Sequence, residues 1–126
     1  MVNNVKKEPN ALKKELTDLD NIEVYYKGNF WLAIDKGKVI GSIGLSIKGT
    51  IGEIKRVYVS NNYRRKKIGT LLYNQLEKIA KNISIEKLQL SVGMNLKKAH
   101  NFYEKMGYTR YGISDSGNSY RYKKTI

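Results

Sequence analysis

The 126-residue chain contains no cysteine, one histidine (His100), one proline (Pro9), one tryptophan (Trp31) and two phenylalanines. Without cysteine there is no disulfide framework, no thiolate nucleophile and no thiolate-held zinc. With His100 as the sole imidazole, a multi-histidine metal site is excluded, and a Ser-His-Asp relay would have to run through that one residue. No repeat, low-complexity tract or Pro/Gly/Ser-rich linker divides the chain, so a single domain over 1–126 is expected. No run approaches ~18 apolar residues, and Met1-Val-Asn-Asn-Val-Lys-Lys7 lacks the apolar stretch of a secretory leader. These features lead to the expectation of a soluble cytoplasmic protein with no membrane partner. Acidic residues are also few: 11 Asp and Glu face 24 Lys and Arg, a formal charge of +13. A field of that sign attracts anions, whether nucleic acid, anionic lipid or a phosphorylated cofactor. Equally, a lysine-rich surface simply keeps a protein dissolved.

The apolar pattern sets out the elements. Leu12, Leu16 and Leu19 suggest a short amphipathic helix over 10–20. Phe30–Ile34, Val39–Ile47 and Ile51–Val59 read as three strands, separated by Asp35-Lys-Gly-Lys38 and Lys48-Gly-Thr50, and together as an antiparallel meander. From Lys67 to Lys81 the residues Ile68, Leu71, Leu72, Leu76, Ile79 and Ala80 line one helix face. Lys87–Val92 reads as a strand, with Leu88, Leu90 and Val92 on one side. A strand, a crossover helix and a strand form a βαβ unit, so 51–59 and 87–92 should run parallel. A second helix over about 96–106 places Leu96, Ala99, Tyr103 and Met106 on one side, and Gly107 ends it. Tyr108–Ile113 and Ser119–Lys124 close the chain as a hairpin. The fold class is therefore α/β in the α+β sense: a mixed, mostly antiparallel sheet flanked by helices, with a central βαβ unit.

Chemistry concentrates where strand 51–59 meets the following helix. Four cations, Arg64, Arg65, Lys66 and Lys67, stand at the helix start. A helix N-terminus already offers free N–H groups and about half a positive charge, so cations there oppose the macrodipole unless something negative is bound. A solvated basic loop is the bland alternative. Neither a G-x-x-x-x-G-K-[ST] loop nor a G-x-G-x-x-G loop is present.

Several segments together resemble the GCN5-related N-acetyltransferases, the GNAT family. Gly37-Lys-Val-Ile-Gly-Ser-Ile-Gly-Leu45 looks like the family's central hairpin, and Glu53-Ile-Lys-Arg-Val-Tyr-Val59 like its substrate strand. Tyr63-Arg-Arg-Lys-Lys-Ile-Gly-Thr-Leu-Leu72 resembles the [Q/R]-x-x-G-x-[G/A] motif for the cofactor pyrophosphate. Ala99-His-Asn-Phe-Tyr-Glu-Lys-Met-Gly-Tyr108 resembles A-x-x-[FL]-Y-x-x-x-G-[FY]. The resemblance implies an acetyltransferase domain with a shortened N-terminal region (1–29). It would bind acetyl-CoA, use no metal, and transfer the acetyl group to a primary amine by direct attack in a ternary complex. It further implies cofactor contacts from Val57, Tyr58 and Val59, from Arg64, Arg65, Lys66, Lys67, Ile68, Gly69 and Thr70, and from Asn95 and Tyr103. Lys67 replaces the motif's middle glycine, where a residue in helical φ/ψ would still present its N–H. Asn95 is eight residues before Tyr103 instead of the usual seven, and Leu96 takes the usual place.

Transfer needs a neutral amine and a protonated leaving thiolate. Glu53, eleven residues before Arg64, is the candidate base, with a water chain as the alternative; alternation puts it on the face of Val57 and Val59 unless a bulge intervenes. Paired with Lys55 or Arg56 it would be only a surface glutamate. Tyr103 is the candidate acid, since a phenol with pKa near ~10 matches a leaving thiol; a core tyrosine is its plain alternative. His100 faces away from the Tyr103 stripe and reads as a surface residue, and Phe30 and Trp31 read as core. Two other functions fit parts of the chain: a CoA-binding domain without catalysis, and a basic nucleic-acid module using its tyrosines. The Tyr63–Leu72 and Ala99–Tyr108 segments argue against nucleic acid as the partner. The expected partners are acetyl-CoA and an amine, small or on a protein, bound by a monomer or homodimer.

Overall fold

A computed structural model describes residues 13–16, 22–64 and 66–126. Its elements are β1 (Lys13–Leu16), β2 (Glu23–Lys27), β3 (Phe30–Asp35), β4 (Lys38–Lys48), β5 (Ile51–Val59), a 3₁₀ turn (Asn61–Tyr63), α1 (Ile68–Asn82), β6 (Lys87–Gly93), α2 (Lys97–Lys105), β7 (Thr109–Ile113) and β8 (Ser119–Thr125). The order of strand pairing is β1-β2-β3-β4-β5-β6-β8-β7. The fold is mixed α/β with a mostly antiparallel sheet. The chain groups into two compact units: the chain to Ser46 with Lys55–Ile79, and Ile47–Ile54 with Ala80–Ile126.

In the first unit β1 to β4 are joined by antiparallel pairing. The helix expected over 10–20 is not what the described part of that segment forms. Lys13–Leu16 is a strand that pairs with Glu23–Tyr26, and the rest of 10–20 lies outside the described residues. A leucine spacing of four is even, so it suits one face of a strand as well as one face of a helix, and pairing with β2 decides between them. β2 is a strand that the apolar pattern did not announce. Its sequence, Glu-Val-Tyr-Tyr-Lys, joins β3 through the two-residue turn Gly28-Asn29. β3 is buried on both faces from Trp31 to Ile34. Leu32 and Ile34 gather Tyr25, Phe30 and Val39 on one side. Helix α1 seats Ile68 and Leu72 against β4 at Gly41, where an added Cβ would lie 2.9 Å from Ile68 Cγ2 and 3.1 Å from the Tyr58 carbonyl oxygen. Only glycine lets helix and strand approach that closely.

In the second unit Ile51–Glu53 pair in parallel with Lys87–Gln89, completing the expected βαβ topology. β8 lies between β6 and β7 and is antiparallel to both. Leu88, Leu90, Val92, Tyr103, Tyr108 and Tyr122 are buried. Helix α2 ends with Gly107 at φ +98°; the Gly107 N–H donates to the Glu104 carbonyl at 3.1 Å and the Tyr108 N–H to the Tyr103 carbonyl at 3.0 Å. This is a Schellman cap, in which the left-handed residue satisfies carbonyls that the helix end leaves over.

Candidate functional site: an anion cradle and a clamped ladder

The cradle lies in the first unit and begins in β5. Arg56 has φ +56°, a left-handed residue inside a strand, and its carbonyl accepts from the Ser42 hydroxyl at 2.8 Å. The irregularity breaks the alternation, so the face of Glu53 does not carry through to Val57 and Val59 as a regular strand would have it. Val57 and Tyr58 beyond it are 48% and 51% exposed. The Ser60 N–H donates to the Ile40 carbonyl at 2.8 Å, and the chain turns through Asn61–Tyr63. The Tyr63 hydroxyl donates to Asp35 Oδ2 at 2.6 Å, which anchors the turn to the β3–β4 hairpin. That bond to a carboxylate holds the Tyr63 phenol above its ordinary pKa.

The basic segment comes next. Arg64 Nε donates to the Val59 carbonyl at 3.3 Å, and Lys66 Nζ sits 5.3 Å from the Tyr63 ring centroid. Arg64, Lys66 and Lys67 are exposed; Arg65 lies outside the described residues. Lys67 departs from the sequence expectation. It is not in helical φ/ψ but at φ +62°. The motif's glycine would adopt that conformation freely, whereas a β-carbon costs roughly 1–2 kcal/mol there. The position therefore keeps the glycine backbone while carrying a cation. The first helical bond runs from the Leu71 N–H to the Lys67 carbonyl at 3.0 Å. Among the described residues nothing accepts from the N–H groups of Ile68, Gly69 or Thr70, as helix geometry dictates for a first turn. At Gly69 an added Cβ would meet only Val59 Cγ2, at 3.8 Å. The chain's own packing does not require glycine there, in contrast to Gly41.

In the second unit Glu53 is held by Arg121. Arg121 Nη1 donates to Glu53 Oε2 at 2.6 Å and Nη2 to Oε1 at 2.9 Å. Neither Lys55 nor Arg56 plays that part. Nη1 also donates to Ser91 Oγ at 2.8 Å and Nε to the Tyr111 hydroxyl at 3.0 Å. Tyr103 is 6% exposed, edge-on to Phe102 and Tyr108, and its hydroxyl bonds to no described residue. Burial pushes the phenol up to about 12, so it stays protonated and remains a donor. Asn95 is exposed in the turn before α2. Leu96 is the helix N-cap and is 57% exposed, so it does not join Ala99, Tyr103 and Met106 in a packed stripe.

His100 differs most from its sequence reading, being buried instead of on the surface. Its Nε2 lies 3.0 Å from the Gly93 carbonyl and 3.3 Å from that of Met94. Carbonyls only accept, so Nε2 carries a hydrogen. Nδ1 lies 2.8 Å from the Tyr122 hydroxyl, which donates to Glu104 Oε2 at 3.3 Å and accepts from Arg110 Nη2 at 3.2 Å. The amphipathic pattern of α2 placed this polar residue outside; the carbonyls of Gly93 and Met94 at the end of β6 and the Tyr122 hydroxyl on β8 supply the hydrogen bonds that let it be inside.

Residues 4–108 match the Acetyltransferase (GNAT) family, and the chain belongs to that family. Among its relatives, the aminoalkylphosphonate N-acetyltransferase of Salmonella typhimurium is 33% identical over 86 residues, covering 64% of this chain and 56% of the relative. The PaiA N-acetyltransferase of Thermoplasma acidophilum, solved with coenzyme A, superposes with a TM-score of 0.72 at 30% identity, over 77% of this chain and 60% of the other. An acetyltransferase of Streptococcus agalactiae gives a TM-score of 0.70 at 26% identity over 77% and 66%. The chain thus spans little more than half of the first two relatives.

Proposed function

We propose that this protein is an acetyl-CoA-dependent N-acetyltransferase that moves the acetyl group to a primary amine by direct attack in a ternary complex. The observation that carries the reading is the cradle: a left-handed residue, amides at the start of α1 that no described residue accepts from, and a glycine unneeded for packing, all in a GNAT chain. Acetyl-CoA supplies the activated thioester. Ile68, Gly69 and Thr70 offer N–H groups to its pyrophosphate, and Arg64, Arg65, Lys66 and Lys67 add charge-assisted contacts. Exposed Val57 and Tyr58 and half-buried Val59 form a strand end suited to the pantetheine arm as an added strand. Tyr103 holds a proton for the departing sulfur; its buried hydroxyl, with no bonded partner among the described residues, is the state of a donor that awaits a ligand. Asn95, with no side-chain partner among the described residues, completes the cofactor set.

The test combines binding and turnover. CoA should raise the melting temperature, and the shift should shrink with salt, because phosphates meet exposed cations. Replacing Arg64 and Lys67 by Ala should weaken CoA by about 1–3 kcal/mol. Turnover is read as free thiol released from acetyl-CoA in the presence of amines: an aminoalkylphosphonate, a diamine and a peptide N-terminus. The chain has no cysteine, so every thiol counted belongs to CoA. No melting shift at millimolar CoA defeats the reading; a shift with no thiol released from any amine leaves a CoA-binding domain without catalysis.

A further inference from the structure

The side chain that ties the second unit together is Arg121. Standing on β8, it donates to one residue on each of the other three strands of that unit's ladder: Glu53 on β5, Ser91 on β6 and Tyr111 on β7. The contact falls at a particular place. The parallel ladder of β5 and β6 has three rungs, and Glu53↔Gln89 is the last. Arg121 pairs directly with Ser91, two residues further along β6. Its guanidinium therefore grips β5 at the rung where pairing with β6 stops.

We propose that Arg121 is a positioning residue that fixes the end of the β5–β6 ladder, and that Glu53 serves as its counter-anion instead of as the acceptor of the amine's proton. Each carboxylate oxygen of Glu53 already accepts from the Arg121 guanidinium, so a proton arriving from the amine would have to displace one of those charge-assisted bonds. The pair is half-buried, where such bonds weigh more than on an open surface. Arg121 is held protonated above its ordinary range, chiefly by the hydrogen bonds to Glu53. The amine's proton then leaves to water. The catalytic part of this inference rests on the acetyl-transfer reading; the coupling of the two side chains does not.

Two measurements decide it. The first uses the ligand-free protein and a cycle of Glu53→Gln, Arg121→Gln and the double variant. Thermal unfolding should show that the double variant is no less stable than the worse single. Hydrogen exchange at residues 51–54 and 87–90 should quicken to the same extent in both singles. Additive losses, or exchange confined to one variant, overturn the clamp whether or not the protein is an enzyme. The second follows thiol release across pH with the best amine of the panel. Both single variants should lose about tenfold in kcat/KM through misplacement of the strand, with the acid limb unmoved. The exchanged pair Glu53→Arg with Arg121→Glu should recover most of that loss. If instead Glu53→Gln loses 100-fold or more together with its acid limb, while Arg121→Gln stays within twofold of wild type, Glu53 is the base and the proposal fails. If the wild type releases no thiol, the acetyl-transfer reading fails, and the stability cycle still decides the clamp.

Discussion

Lys67 offers the sharpest test of how the cradle is built. The side chain sits at φ +62° where a glycine would be at ease. The left-handed conformation costs a residue with a β-carbon roughly 1–2 kcal/mol. Lys67→Gly removes that cost, and the greater freedom of glycine in the unfolded chain returns about 0.5–1 kcal/mol of it. The balance is a gain of about 0.5–1 kcal/mol. At about 2.1 cal/mol/K of unfolding entropy per residue, a chain of this length should gain about 2–4 °C in melting temperature. Lys67→Ala keeps the β-carbon and removes the charge, so Gly should exceed Ala by about 1 kcal/mol. Both variants lose the same cation, and both should bind CoA about fivefold more weakly with a shallower salt dependence. Differential scanning calorimetry and isothermal titration with CoA at two ionic strengths read these quantities. If Lys67→Gly is no more stable than Lys67→Ala, the left-handed backbone is not what costs stability here, and the account of the motif's missing glycine is wrong.

Further predictions concern Tyr103, Gly41 and Gly69. Tyr103→Phe should leave stability unchanged or raise it by up to about 1 kcal/mol, because it removes a buried hydroxyl with no bonded partner among the described residues, while thiol release falls and CoA affinity holds. Since burial lifts this phenol to about 12 from about 10 in the unfolded chain, the unfolded chain ionises first, so stability is full below pH 10 and falls as pH rises toward 12. Chemical unfolding at pH 9 and pH 11.5 should show a steeper loss for wild type than for the Phe variant; equal losses would place the hydroxyl in water. Gly41→Ala should destabilise by about 1–3 kcal/mol, since its Cβ would press on Ile68, Leu72 and the Tyr58 carbonyl. Gly69→Ala should fold normally and lose CoA affinity; a Gly69 variant that binds CoA like wild type would remove Gly69 from the cradle.

Period and punctuation alone determined most of the elements. A dense apolar run in β3, apolar residues on one face of β6, a helical stripe in α1 and a glycine stop after Tyr103 are local properties, written in side chains a few residues apart. The order of segments around Tyr63–Leu72 and Ala99–Tyr108 determined the family for the same reason, because those motifs are short stretches whose residues lie a few positions apart. Tertiary structure decided what depends on partners distant in the chain. Lys13–Leu16 is a strand because β2 offers an edge, and its leucine spacing does not distinguish the alternatives. His100 is buried because Tyr122, 22 residues on, meets its ring. Glu53 is paired across 68 residues with an arginine whose own strand, Ser-Tyr-Arg-Tyr-Lys, gives no sign of it. The left-handed turn at Lys67 belongs to this second kind: no propensity of lysine asks for it, and the anchored Tyr63 turn and the packing of α1 on Gly41 together leave the backbone that conformation.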